Sequence, residues 1–316
     1  MTKIEGWKLK QRQSLPLEVK IKTSLRKIEK FIEAMEGKVY VSYSGGKDSE
    51  VLLHLVKQVK PDVDVVFVDN KMEIHTREHA LKKATIVLKP KLTVFAVWDK
   101  YGVPFPSKQQ ADYIYKVKHT KSDYLKSRLL TGIMKDGSKT MFKLADKWKP
   151  IVESDIEVSD KCCHYLKKEP IKRYEKISGN AGIMGTMASD GFERKKLYLQ
   201  NGCFNIDKRK ATPIGFWTEQ DVLRYIIKFK LDLCPAYGEI IEEDGVLKTT
   251  KAKRTGCVGC GFGVHLESSP NRYQRLYKEN QTAHKAILHS WCGGSLGKIC
   301  KMYDIPTGEE DEISQN

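Results

Sequence analysis

One hexapeptide, Ser44-Gly45-Gly46-Lys47-Asp48-Ser49, constrains this chain more than any other feature. It follows Lys38-Val39-Tyr40-Val41-Ser42-Tyr43, a short, partly β-branched run that reads as a strand. It precedes an apolar-periodic stretch from Glu50 to about Val59, closed by Pro61, that reads as a helix. A glycine pair on a strand-to-helix turn lets backbone N–H groups point inward and admits bulky anionic oxygens. The helix N-terminus adds partial positive charge. Lys47 offers a point charge for phosphate, Ser44 and Ser49 offer hydroxyl donors, and Asp48 suits capping or metal holding. The spacing is not that of the Walker loop, in which four residues separate a glycine from Gly-Lys-Ser/Thr.

The surrounding pattern predicts an α/β fold with an open, mostly parallel sheet. Val63–Val68 reads as a second strand, His75–Lys83 as a helix, and Leu92–Val97 as a third strand. Upstream, Leu17–Met35 has a helical apolar period and ends at Gly37. Residues 102–150 break the alternation as a basic, tyrosine-bearing helical insertion with a turn at Lys135-Asp136-Gly137. Ala181–Met187 reads as a strand with its C-terminal turn. Thr218–Phe229 reads as an amphipathic helix capped by Thr218, with Glu219 in its first turn. From Leu233 the chain is rich in glycine and cysteine, then helical from about Asn271 to His289. The expected division is an N-terminal basic helix at 1–36, a nucleotide-binding α/β domain at 37–232, and a cysteine-rich helical region at 233–316.

Charge narrows the partners. The 316 residues carry a net +16, and 40% of them are hydrophobic, enough for a core and too many for a disordered chain. Leu81–Pro150 holds 16 Lys and Arg against five Asp, a net +11. The tail from Lys301 holds one Lys against Asp304, Glu309, Glu310, Asp311 and Glu312, a net −4. Crowding of one sign points to an anionic partner, with nucleic acid (tRNA or DNA) as the expectation; a solubilising face or a surface for an acidic sulfur-carrier protein are the alternatives. Tyr113, Tyr115 and Tyr124, set among Lys116, Lys118, His119, Lys121, Lys126 and Arg128, would stack bases and hold phosphates; core tyrosines beside a solvated face explain them equally well. The basic N-terminus has no apolar signal region, and no apolar run approaches a membrane span, so a cytoplasmic protein with no membrane partner is expected.

Eight cysteines without an export signal favour metal or redox chemistry over disulfides. Two pairs stand out, Cys162-Cys163 and Cys257-Val258-Gly259-Cys260. Four thiolates suit an iron–sulfur cubane or a tetrahedral zinc, and adjacent cysteines on one helical turn are awkward for a single zinc. Cys203 is an alternative to Cys162; Cys234, Cys292 and Cys300 read as incidental thiols. His75 and His79 share a helix face, as a metal pair or as exposed residues. His164 and His265 each follow a cysteine pair, and either hydrogen-bond a cluster sulfur or have no part in the site.

These residues together resemble the phosphoadenosine phosphosulfate (PAPS) reductase-like branch of the PP-loop, or adenine-nucleotide α-hydrolase, superfamily. The resemblance runs from about Lys38 to Gly263. SGGKDS resembles the PP-loop itself. Val68-Asp69 matches the branch's "VDT", although Asn70 replaces the threonine. Lys161-Cys162-Cys163 with Lys167, Lys168 and Pro170 resembles its "KCC…K…P" segment. Gly185-Thr186-Met187-Ala188-Ser189-Asp190 with Arg194 resembles its substrate-side loop. Pro213-Ile214, Trp217-Thr218, Asp221-Val222 and Tyr225-Ile226 resemble its "PL…WT…DV…YI" helix. The resemblance implies an ATP or related nucleotide held, with Mg²⁺, by Ser44, Gly45, Gly46, Lys47, Asp48, Ser49, Asp69, Gly185 and Thr186. It implies Lys47, Asp48 and Arg194 as catalytic residues, with Lys195 a further anion grip. It also implies a [4Fe-4S] cluster on Cys162, Cys163, Cys257 and Cys260, as in assimilatory adenylylsulfate reductases.

Two departures decide the expected reaction. Sulfonucleotide reductases carry a C-terminal "ECGxH" cysteine; here Cys292 and Cys300 lack its flanking residues. The complete SGGKDS resembles instead the ATP-splitting members: the small subunit of ATP sulfurylase, tRNA-thiolating enzymes, and proteins of DNA phosphorothioation. The expectation is an enzyme that adenylates an acceptor, releases pyrophosphate, and takes part in iron–sulfur-dependent sulfur transfer. A sulfonucleotide reductase using Cys292 or Cys300, and a non-catalytic nucleotide-regulated nucleic-acid-binding subunit, are the alternatives.

Overall fold

A computed structural model describes residues 4–309. They divide into two compact units, one made of the chain up to Lys89 with Pro170–Thr255, the other of Pro90–Glu169 with the chain from Gly256. Glu310, Asp311 and Glu312 of the acidic tail lie outside the described residues.

The first unit is α/β, built on a six-stranded sheet. In chain order the strands are β1 (Val39–Ser42), β2 (Asp64–Val68), β3 (Ile86–Leu88), β4 (Ala181–Met184), β5 (Phe204–Asn205) and β6 (Lys210–Ala211). Their order across the sheet is β3-β2-β1-β4-β6-β5, parallel except for β5 against β6. β1 and β2 are short runs buried among apolar residues, the signature of a parallel strand covered on both faces. The helices Leu17–Ala34, Lys47–Val59 and Glu219–Phe229 supply Ile28, Phe31, Leu52, Val56, Val222 and Ile226 to one core with Val41, Val65 and Ile183. Thr218 caps the last of these helices in a reciprocal box with Asp221. Asp221 also pairs with the buried Lys20 at 2.7 Å.

Chain order alone misplaces the third strand. β3 is Ile86–Leu88, and Val94–Tyr101, which overlaps the expected strand at Leu92–Val97, is a helix in the second unit. The Thr93 hydroxyl accepts from the Ala96 N–H at 3.1 Å and starts that helix. The β-branched run is overridden by this cap and by packing, with Val97 and Trp98 buried.

A hairpin unforeseen from the sequence, β7 (Ile240–Glu243) with β8 (Val246–Thr249), belongs to the first unit. Asp244 and Gly245, at φ 51° and 74°, make the two-residue turn that an Asp-Gly pair favours. The Gln220 amide anchors it, donating to the Leu247 carbonyl at 2.8 Å and accepting the Leu247 N–H at 2.9 Å.

The second unit is mainly helical. Helices Lys108–His119 and Asp123–Thr131 occupy the basic insertion, and the expected turn is present, with Gly137 at φ 77° inside an Ile133–Lys139 bridge. Trp98, Phe105, Ile114, Trp148, Tyr273 and Leu288 are buried. The stretch expected as one helix from Asn271 to His289 is three pieces: Arg272–Glu279, Gln281–Lys285 and a π-helical turn, Ala286–Ser290. Asn280 breaks it, at φ −158° and ψ 86°, because its side chain caps the following turn. Among the described residues, no helix is long and apolar enough to cross a membrane.

Candidate functional site

β1 leads on to β2 on one side, and β4 pairs with β1 on the other, so the sheet changes direction between β1 and β4. Open α/β sheets bind ligands outside the carboxyl ends of strands at such a point. Two glycine loops leave there, Ser44–Ser49 after β1 and Gly185–Asp190 after β4. They touch: a Cβ on Gly185 would lie 2.9 Å from the Asp48 carbonyl oxygen. Gly45 is required twice over, by a φ of 73° and by the Thr76 carbonyl, which a Cβ would meet at 2.8 Å. Ser44 and Ser49 brace the loop through their hydroxyls, 3.2 Å apart, and the Ser49 hydroxyl donates to the Gly46 carbonyl at 2.8 Å.

Lys47 is not presented as an open charge. Its ammonium is buried, 3.2 Å from Glu219 and donating to the Lys253 carbonyl at 2.8 Å. The Tyr237 hydroxyl accepts the Lys47 N–H at 3.3 Å, and its ring lies 5.1 Å from the Lys47 ammonium. Thr255 holds that hydroxyl at 3.1 Å. Glu219 comes from the capped helix, and Tyr237, Lys253 and Thr255 from the segments flanking the hairpin. Glu219 was expected only at a helix start, and Tyr237, Lys253 and Thr255 were not foreseen; the Asp244-Gly245 pair that turns this segment back is the local signal that points to them.

Asp48 is the chemically most conspicuous member. Burial lifts its carboxyl to about 6, with Lys47 opposing and Asp190 adding to the rise. Its Oδ1 is buried and has no hydrogen-bond partner among the described residues. An unpaired buried carboxylate oxygen is costly unless a cation or donor meets it. Arg194 pairs with Asp190 rather than standing free, and Arg254 lies 3.6 Å from the same carboxylate, so Asp190 orients two arginines beside the loop. Thr186 lies on the β4 loop, half-buried, and Lys195 is exposed on the following helix. Asp69, at the end of β2, is held by Arg77 through two hydrogen bonds of 2.8 and 2.7 Å, and this pairing keeps its carboxyl below the usual range.

The second unit gathers Cys162, Cys163, Cys257 and Cys260. Cys162 and Cys163 lie on the short helix Lys161–Cys163, and the Cys260 N–H donates to the Cys257 carbonyl at 3.2 Å in a tight turn. The Trp98 indole N–H donates to the Cys162 sulfur at 3.3 Å. Burial pushes the Cys162 thiol up to about 12, and Cys163, Cys257 and Cys260 each add to that rise. Burial raises the Cys260 thiol as well, opposed in part by Arg272, which donates to the Cys260 carbonyl at 2.8 Å, and by Lys167. The donor set is soft and tetravalent, with cations and an N–H donor beside it, and fits a thiolate-bound metal or cluster.

Other expected ligands are engaged elsewhere. Cys203 belongs to the first unit's core, its sulfur 4.0 Å from the Tyr198 hydroxyl. The Cys234 thiol donates to the His75 carbonyl at 3.3 Å. His79 is buried against Glu50 at 3.3 Å, while His75 is exposed. His265 packs into rings, 4.9 Å from Trp148 and 5.8 Å from Phe105, and His164 lies 5.0 Å from Tyr165. In the basic insertion, Lys118 is turned inward, donating to the Ser154 and Ile156 carbonyls at 3.0 and 2.7 Å. Lys116 pairs with Asp112 at 2.6 Å. Lys161 lies 5.5 Å from the Tyr115 ring and Lys135 lies 5.0 Å from the Tyr124 ring.

Comparison with known proteins agrees with this architecture. A sequence profile of the phosphoadenosine phosphosulfate reductase domain matches residues 38–145 and 108–261. An uncharacterised protein of Methanocaldococcus jannaschii is 31% identical over 264 residues, 82% of this chain and 50% of that one. An adenosine 5'-phosphosulfate reductase of Staphylococcus haemolyticus is 24% identical over 195 residues, 61% of this chain and 62% of that enzyme. One from Staphylococcus epidermidis is 23% identical over 251 residues, 79% and 81% of the two chains. The chain thus spans half the length of the Methanocaldococcus relative and under two thirds of the S. haemolyticus enzyme.

Proposed function

Because the chain belongs to the phosphoadenosine phosphosulfate reductase family, with its PP-loop fold, we propose that it binds ATP at Ser44–Ser49 and transfers AMP to an acceptor, releasing pyrophosphate, as the activating step of sulfur transfer. The observation that carries this reading is Asp48. It is a buried carboxylate with an unpartnered oxygen, set between two touching glycine loops at the sheet's change of direction, in a loop that retains both Lys47 and Asp48.

The roles follow from the chemistry of each group. The Lys47 ammonium and the N–H groups at the helix start neutralise charge on the leaving pyrophosphate. Asp48 would hold Mg²⁺, whose charge would favour the carboxylate that burial now disfavours. Arg194 and Arg254, oriented by Asp190, face substrate anion. In the balanced step an acceptor oxygen forms a bond to the α-phosphorus and the bond to pyrophosphate breaks, with the acceptor's proton passing to solvent. Asp69, locked by Arg77, positions the end of β2. A nucleic-acid acceptor would be met in the insertion by the exposed Lys121 and Lys126, since Lys118 is spent on carbonyls.

We assign Cys162, Cys163, Cys257 and Cys260 as holders of a [4Fe-4S] cluster. When bound, it would supply sulfur-transfer or electron-transfer chemistry. Supporting a cluster over one zinc, Cys162 and Cys163 are adjacent on one helical turn, an awkward placing for two ligands of a single ion.

Sulfonucleotide reduction is the second reading, favoured by the names of the staphylococcal relatives. Against it, burial raises the Cys292 thiol to about 11, and Cys300 is 2% exposed, so neither is a ready thiolate nucleophile. Incubation with labelled ATP and with adenylylsulfate or PAPS separates the two. Pyrophosphate from ATP is expected, and sulfite from a sulfonucleotide without pyrophosphate from ATP would overturn the adenylation reading.

Tyr237 gives a further expected outcome. Its hydroxyl occupies the loop N–H group that a phosphate oxygen would use, so nucleotide must displace it. Tyr237→Phe removes that competitor while keeping the ring. ATP affinity by calorimetry should rise roughly 2–12-fold, the equivalent of about 0.5–1.5 kcal/mol for one hydrogen bond. A fall in affinity would mean that Tyr237 donates to the nucleotide instead.

A further inference from the structure

The second unit also brings His284, His289 and Glu309 together, with one ligand atom from each lying within 4.8 Å of the others. We propose that these three residues bind a divalent cation of the zinc class, clamping the C-terminal segment onto the helices before it. The argument begins with the backbone. Residues five apart on an α-helix point about 140° apart at 3.6 residues per turn. The π-helical turn Ala286–Ser290 widens the spiral, so His284 and His289 present their rings on one side, 6.1 Å apart. Such turns concentrate at functional sites.

The third ligand is delivered by a pinned tail. The Ile305 N–H donates to the Cys300 carbonyl at 2.9 Å, and the Asn271 amide donates to the Pro306 carbonyl at 2.7 Å. Gly308, at φ 98°, lies so close to the helix Arg272–Glu279 that a Cβ would fall 3.0 Å from the Tyr277 Cβ. Glu309 is therefore placed by fixed backbone on either side of Thr307.

Tautomer chemistry then selects a cation. His284 Nε2 lies 2.9 Å from the Thr307 carbonyl oxygen, which only accepts, so Nε2 carries the proton. In the neutral ring Nδ1 is then a lone pair, and it faces Glu309 at 3.6 Å. A lone pair opposite a carboxylate is repulsive unless a positive charge lies between them. An imidazole whose other nitrogen donates to a backbone carbonyl is the usual arrangement of a metal-bound histidine. His289 Nε2 lies 2.7 Å from the same carboxylate oxygen. Two histidines and a glutamate at about 2.1 Å from zinc would be roughly 3.4 Å apart, which the two distances of 2.7 and 3.6 Å bracket. His284 is 1% exposed, while the side chains of His289 and Glu309 are 43% and 38% exposed, so the fourth position opens to solvent.

The test uses the full-length protein titrated with Zn²⁺ by calorimetry and with Co²⁺ by visible absorption, iron content being measured in parallel. Wild type should take up Zn²⁺ beyond any held by the cysteines and gain thermal stability. His289→Gln and Glu309→Gln, both at exposed side chains that leave the buried His284 in place, should each weaken Zn²⁺ at least tenfold and abolish the stabilisation, with iron unchanged. Co²⁺ should give ligand-field bands without strong thiolate charge transfer. Wild-type-like Zn²⁺ affinity in both variants would overturn the proposal. So would a wild-type protein that binds no extra Zn²⁺ at micromolar concentration, leaving a proton-bridged ion pair as the whole of the cluster.

Discussion

On the proposed cluster assignment, replacing Cys257 and Cys260 together by serine is expected to lower iron to about a tenth of the wild-type content or less after anaerobic purification. Serine keeps the volume and removes the soft thiolate that iron and sulfide require. Both residues sit on one tight turn, and losing two of four ligands leaves Cys162 and Cys163 unable to close a cluster. Cys234→Ser is the matching control. Its thiol donates to the His75 carbonyl in the first unit, so iron should stay at the wild-type level. Iron unchanged in the double variant would remove these cysteines from the site. A colourless wild type whose zinc disappears in the double variant would replace the cluster by zinc. Zinc that persists in the double variant belongs to the histidine–glutamate set.

What was legible in the sequence was whatever depends on short-range pattern. The β1–loop–helix unit is fixed by a β-branched run, two glycines and an apolar period, and it folds as read. The helix from Leu17 and the one capped by Thr218 also follow their periods. The third strand failed for a physical reason: Leu92–Val97 has strand composition, but Thr93 caps a helix whose Val97 and Trp98 are buried. The cover over the loop was invisible for another. Lys47 meets Tyr237, Lys253 and Glu219 only through contacts about 170 to 210 residues apart in sequence, which no local pattern encodes. The fate of Lys118 is a third case. Counted as surface charge, it is consumed by two carbonyls, so net charge overstated the basic face available to a polyanion. The Asp244-Gly245 turn, by contrast, is a local hairpin signal that went unread.

Lys47→Ala should weaken ATP binding by roughly 10–150-fold, from the loss of one charge-assisted contact worth about 1.5–3 kcal/mol. Pyrophosphate release should fall at least as far, because charge on the leaving group grows in the transition state and the lysine acts on it there. The variant is expected to fold. The ammonium it removes is paired to Glu219, whose side chain is 36% exposed and able to take water, and the Lys253 carbonyl lies at the edge of the same cover. Arginine should restore little, since a planar fork does not fit a pocket shaped around a compact ammonium. Glu219→Gln tests the same contact from the other side. It releases the lysine from its resting partner and should leave ATP binding equal to or tighter than wild type. Binding of AMP provides the discriminating control. If Lys47 grips the phosphates that leave as pyrophosphate, AMP affinity should be nearly the same in wild type and Lys47→Ala. Equal losses for ATP and AMP would point to a collapsed loop, and an ATP affinity matching wild type would remove Lys47 from the nucleotide site.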